Sequence, residues 1–232
     1  MPEREKISQL EGRVEELRLR LQDADSKALA DRTGAKFKPA SQEAGEFSLL
    51  LWDREIRLSY PTFLARDAQN GEEIPTYLQA LLLYYFNTCD GSLDSGRWIA
   101  FSELPDGRFY NQAFQGYTGK AVAQTFENDL ESFAQVAESL AGKRIYFLGD
   151  LAYAFQVLPL VSLLVVYWRG DEEMQPTCQI LFDAAVSHHL PTDACAVLGS
   201  NLTHRLIKQK ENSIKSVSVS KQELSDEDRH QR

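Results

Sequence analysis

Between Leu151 and Asp183 the chain holds three strand-forming stretches with very little chain between them. Stretches 151–157 and 160–168 meet at Pro159. Stretch 177–183 follows after the polar turn Arg169-Gly170-Asp171-Glu172-Glu173. Crossing over to a parallel neighbour takes a dozen or more residues, so consecutive hairpins and an antiparallel sheet are expected. The middle stretch falls within the longest apolar run of the chain and reads as a buried strand.

The same reading extends upstream. Residues 47–52 and 56–60 form a strand pair turning at Asp53-Arg54 and closed by Pro61. Helical periodicity appears at Leu78, Leu81, Leu82 and Tyr85, with Pro75 at the first helical position. It returns at Leu130, Phe133, Val136, Ala137 and Leu140, where Asn128 or Asp129 can cap and Gly142 ends the helix. A last helix over 191–210 buries Ala194, Val197, Leu198, Leu202 and Leu206. Residues 109–126 are aromatic but interrupted by Gly116 and Gly119, and read as a turn region. The expected class is α+β: an antiparallel sheet of consecutive hairpins with helices packed on it, preceded by a coiled-coil-like N-terminal helix. There is no regular β-α alternation and no Gly-rich phosphate loop, which disfavours a nucleotide-binding doubly wound fold.

Four segments are expected: a charged amphipathic helix at 1–30, a linker at 31–46, the domain at 47–210 and a disordered polar tail at 211–232. In the first segment Ile7, Leu10, Val14, Leu17 and Leu21 follow heptad a/d spacing. Two readings of that seam stay open. It pairs with a second copy or a partner protein through residues 3–29, or it lies on its own domain, since so short a helix needs packing either way.

A net charge of −9 makes nucleic acid an unexpected partner. The longest apolar run, 157–168, contains Pro159 and Ser162 and falls well short of the roughly 20 residues of a membrane span. The start of the chain is charged, with no apolar signal region, so a cytoplasmic location is expected. Cys89, Cys178 and Cys195 are far apart and form no Cys-x-x-Cys pair, so neither an iron–sulfur cluster nor a zinc site is expected.

The chemistry-bearing residues are few. His188 and His189 are adjacent, so in extended chain they face opposite ways and make a poor metal clamp, although one imidazole could ligate a tetrapyrrole axially. Cys195 begins the last helix, where a thiol pKa is lowered, and either histidine could serve it as base. Asp183 closes a strand just before the histidines and offers a second acid–base pairing. Each has a plainer role: packed His, inert buried Cys, turn-forming Asp. No nucleophile elbow is present.

Three groups of residues also share a family pattern. Asp90-Gly91 leads to Arg97-Trp98-Ile99-Ala100-Phe101-Ser102-Glu103-Leu104-Pro105-Asp106-Gly107, Phe109-Tyr110 and Gln115-Gly116-Tyr117. Gly149-Asp150-Leu151-Ala152-Tyr153 runs on to Leu158-Pro159. Trp168-Arg169-Gly170-Asp171-Glu172-Glu173 precedes Leu181-Phe182-Asp183-Ala184 and His189-Leu190-Pro191-Thr192-Asp193. Over about 47–206 the chain resembles the family of domains of unknown function numbered 3786. Some of its members carry a four-cysteine iron–sulfur module like that of corrinoid proteins. The resemblance implies a setting in anaerobic corrinoid or one-carbon metabolism, although this chain has a charged helix where the module would stand. It also makes Arg97, Tyr117, Asp183 and His189, with His188 beside them, the residues expected to line a ligand.

The expected function is therefore that of a non-catalytic binding or accessory protein. It assembles through its N-terminal helix and holds a small ligand such as a corrinoid or another tetrapyrrole. Two alternatives stand beside it: a small enzyme using Cys195 or Asp183 with His188 or His189, and a structural subunit of a larger complex.

Overall fold

The computed structural model describes the backbone of residues 3–41 and 43–230, and side chains over 8–41 and 43–215. Two antiparallel sheets carry the architecture, as the hairpin spacing predicts. The first is a four-stranded meander, β1 (Lys36–Pro39), β2 (Gly45–Leu51), β3 (Arg54–Tyr60) and β4 (Ala65–Asp67). The second has five strands: β5 (Trp98–Ala100), β6 (Lys143–Ile145), β7 (Leu151–Leu158), β8 (Val161–Trp168) and β9 (Thr177–Asp183). Their spatial order is β5-β9-β8-β7-β6, so β8, apolar apart from Ser162, is central.

Seven α-helices complete the described residues. They are α1 (Glu3–Leu21), α2 (Ser26–Thr33), α3 (Thr76–Thr88), α4 (Gly107–Tyr117), α5 (Gly119–Phe126), α6 (Leu130–Ser139) and α7 (Thr192–His230). One continuous core runs through both sheets: Phe47, Phe63 and Phe86 lie on the first, and Phe133, Tyr153, Tyr167 and Phe182 on the second. The sheets join where Trp52 N donates to Val157 O at 2.8 Å. A smaller cluster occupies the outer face of the second sheet, where Ala152, Leu164 and Val166 lie beneath Trp98, Trp168, Ile145 and Leu181.

Four expectations change. The seam is consumed within the chain: Val14, Leu17 and Leu21 are buried, and Leu10 packs against the same core. Polar contacts fix α1 on α3, with Asn87 Nδ2 donating to Leu17 O at 3.1 Å and Arg13 Nε to the Tyr84 hydroxyl at 2.9 Å. Of the two open readings, the helix lying on its own domain is the one observed; the side chain of Ile7 lies outside the described residues. The helix also stops at Leu21, and Asp25 caps a separate α2 by accepting from Ala28 N.

The linker expected at 31–46 is structured, because Lys36–Pro39 pair with β2 and complete the first sheet. The aromatic stretch 109–126 is two helices, α4 and α5. Gly119 is not a helix breaker there but a contact residue, since a Cβ on it would lie 2.1 Å from Cys178 O. Finally, α7 runs past Lys210 to His230, through residues expected to be disordered. Beyond Gly199 the sequence holds neither Gly nor Pro, so nothing local terminates the helix.

Candidate functional site

The loop from Cys89 to Arg97 joins α3 to β5 and draws most of the candidate residues together. Asp183 anchors it. One carboxylate oxygen accepts from Ser95 N, Ser95 Oγ and Ala185 N, and the other from Gly96 N, all at 2.8–2.9 Å. Burial alone would raise the Asp183 pKa, but these donors outweigh it and hold the carboxyl below its ordinary range. Asp183 is thus a fully used strand-end anchor, and its oxygens are not aimed at His189.

His189 is 0% exposed. Its Nδ1 lies 3.2 Å from Cys89 Sγ, which also reaches Arg32 O at 2.9 Å. Its ring tilts against Tyr85, whose hydroxyl donates to Thr33 O. Nε2 is buried without a hydrogen-bond partner among the described residues. Burial lowers the imidazole pKa and raises that of the Cys89 thiol, so the pair rests neutral rather than as thiolate and imidazolium. His188 closes a 3-10 turn rather than an extended segment, and meets Asp90 in an exposed 2.8 Å contact.

Arg97 belongs to the same loop but serves it through its main chain, its carbonyl accepting from Ala184 N at 2.8 Å. Tyr117 lies elsewhere. It faces Tyr110 (ring centroids 6.3 Å apart) beside Asp193, Ala196 and Val197 of α7. Burial and the Tyr110 hydroxyl push its pKa up to about 12. Cys195 is fully buried, and burial raises its thiol to about 12, overriding the helix N-terminus. No hydrogen bond links it to either histidine among the described residues, so the expected thiol–imidazole pair is replaced by Cys89–His189, which is sealed.

A second candidate site lies beside the second sheet, at the start of β9. It is an open groove of about 930 Å³ between α4, α5, the turn after β8 and the start of β9. β5 pairs with β9 only from Leu181 to Asp183, so along Thr177–Gln179 the neighbour on that side is α5, whose Gly119 closes on Cys178 O. Six carboxamides line the groove: Asn111 and Gln115 on α4, Gln124 on α5, then Asn128, Gln175 and Gln179. Lys120, Glu127 and Asp171 add charge, and Asn111 Oδ1 is buried without a donor. Asp171 is held below its ordinary pKa by Glu173 N and Met174 N, so its carboxylate is occupied by its own turn.

The sequence offers Asn128 only as a helix cap and Gln115 only within the family pattern, and marks none of the six as lining a site. Their signal was available: Asn111 and Gln115, like Lys120 and Gln124, stand four apart on one helical face. It is visible only once 107–126 is read as helix. No group of three or more His, Cys, Asp or Glu among the described residues is placed to hold a metal ion.

The model of a domain of unknown function, DUF3786, matches residues 25–205. The chain belongs to this family. The DUF3786 match takes in α2 and β1, so the family domain begins about twenty residues earlier than 47. It includes the Cys89–Arg97 loop, its Asp183 and His189 anchors, and the whole groove, whereas α1 precedes it. No curated protein and no solved structure matches the chain. No described helix is long and apolar enough to cross a membrane.

Proposed function

We propose that this DUF3786 chain is a non-catalytic binding protein whose groove takes a neutral, amide-bearing small molecule. The observation that carries the reading is the convergence of carboxamides on one concavity around an acceptor, Asn111 Oδ1, that lacks a donor. Carboxamides both donate and accept, so they suit a ligand offering N–H and C=O groups rather than a net charge. The volume is of the size that small-molecule sites use.

The other features agree. The three thiols are buried with raised pKa values, and the Asp183 oxygens are consumed by the loop they anchor. A tetrapyrrole ligated by His188 or His189 fits poorly, because His189 is enclosed beside Cys89 and His188 lies outside the groove. A corrinoid, whose rim carries amides, stays within the proposed ligand class through that rim alone.

The test is titration of isotope-labelled protein with hydroxocobalamin and with N-acetylglycinamide, followed by amide resonances. At least one probe is expected to shift residues 111, 115 and 124 while leaving the core unmoved. Asn111→Ala combined with Gln124→Ala should weaken that binding about tenfold. If neither probe moves the groove resonances, the reading fails.

A further inference from the structure

Residues 143–148 combine features that the core does not explain. Lys143, Arg144 and Ile145 form β6, the edge of the five-stranded sheet, hydrogen-bonded to β7 on one side only. The chain then leaves the sheet through Tyr146, Phe147 and Leu148. This is the longest consecutive run of exposed large apolar side chains among the described residues, and Phe147 is 103% exposed. The tip adopts φ +74° at Phe147, a left-handed conformation that holds the ring outward. Lys143 and Arg144 form no ion pair with a described residue, and the Arg144 guanidinium lies over the Tyr146 and Tyr153 rings at 5.7 and 5.8 Å. On the outer face this edge continues into the patch of Ile145, Trp168 and Trp98.

We infer that β6 and the 146–148 tip dock an extended acidic–aliphatic segment of a partner protein as an added strand. Charge decides among the occupants. A second copy added antiparallel about Arg144 would set Arg144 opposite Arg144, and cross-strand like charges repel. A lipid surface would accept the aromatic tip but leave the β6 main-chain donors and acceptors unpaired. A partner strand satisfies that edge, and alternating carboxylates answer Lys143 on one face and Arg144 on the other. Its aliphatic residues meet Tyr146, Phe147 and Leu148. This surface is separate from the carboxamide groove and does not depend on its ligand.

The test pans a displayed library of random eight-residue peptides on the immobilised full chain. Selected peptides should be enriched in Asp and Glu alternating with aliphatic residues, and should slow amide exchange at 143–147. Lys143→Glu and Phe147→Asp each replace an exposed side chain, so both variants should melt with the wild type. Each should weaken peptide binding by about tenfold or more. Selected peptides without acidic enrichment, or peptides that bind both variants like wild type, overturn the proposal. So does sedimentation with phosphatidylserine vesicles that depends on Phe147 while no peptide protects β6.

Discussion

At the residue scale, the informative side chain is His189. Its environment removes water and leaves Nε2 unpartnered, so the fold favours the neutral imidazole. The unfolded chain takes up a proton near pH 6.5, whereas the folded chain resists it to a lower pH. Below that point the unfolded state binds more protons. The contribution of His189 is therefore complete above about pH 6.5 and is lost as the pH falls further. Denaturant unfolding at pH 7.5 and 5.5 should show a drop in stability that His189→Gln reduces, at a cost of about 1–2 kcal/mol at the higher pH from the lost Cys89 contact. An unchanged pH dependence in the variant would assign the drop to other groups. The sequence made both histidines visible, although they stand at the end of a 3-10 turn and not in extended chain. It concealed Cys89, a hundred residues away in the chain, because nothing local marks a thiol that meets so distant a ring.

At the element scale, α1 shows how a correct pattern supports two packings. Heptad spacing specifies an apolar stripe, and it does not specify what covers the stripe. Here α3 does, and α3 is itself apolar nearly all round, with Leu81, Leu82, Leu83, Tyr85 and Phe86 all buried. Such a helix needs cover on several sides, which is the physical reason the seam folds back. Leu17→Ala should cost about 2–5 kcal/mol. Its melting temperature should be independent of protein concentration, whereas an intermolecular seam would make it rise with concentration. The hairpins were legible for a different reason: short connections leave antiparallel pairing as the available geometry, so β7, β8 and β9 emerge where expected. Helices α4 and α5 were not legible, since Gly116 and Gly119 resemble breakers until Cys178 O is seen pressing on Gly119. The groove carboxamides vanished with them.

At the scale of the whole molecule, the two sheets share one core rather than forming separable lobes. Unfolding should then be a single transition. Trp52 reports on the first sheet, and Trp98 and Trp168 on the second. Single-tryptophan variants retaining Trp52 or Trp168 should give coincident denaturation curves, and separated midpoints would reveal independent units. The same core encloses all three native thiols, Cys89, Cys178 and Cys195. Maleimide reagents therefore have no ready target on the intact fold, and an engineered cysteine at position 147 becomes a unique attachment point for a dye or spin label. The native thiols in turn become a clock for global opening, because their alkylation has to wait for the protein to come apart.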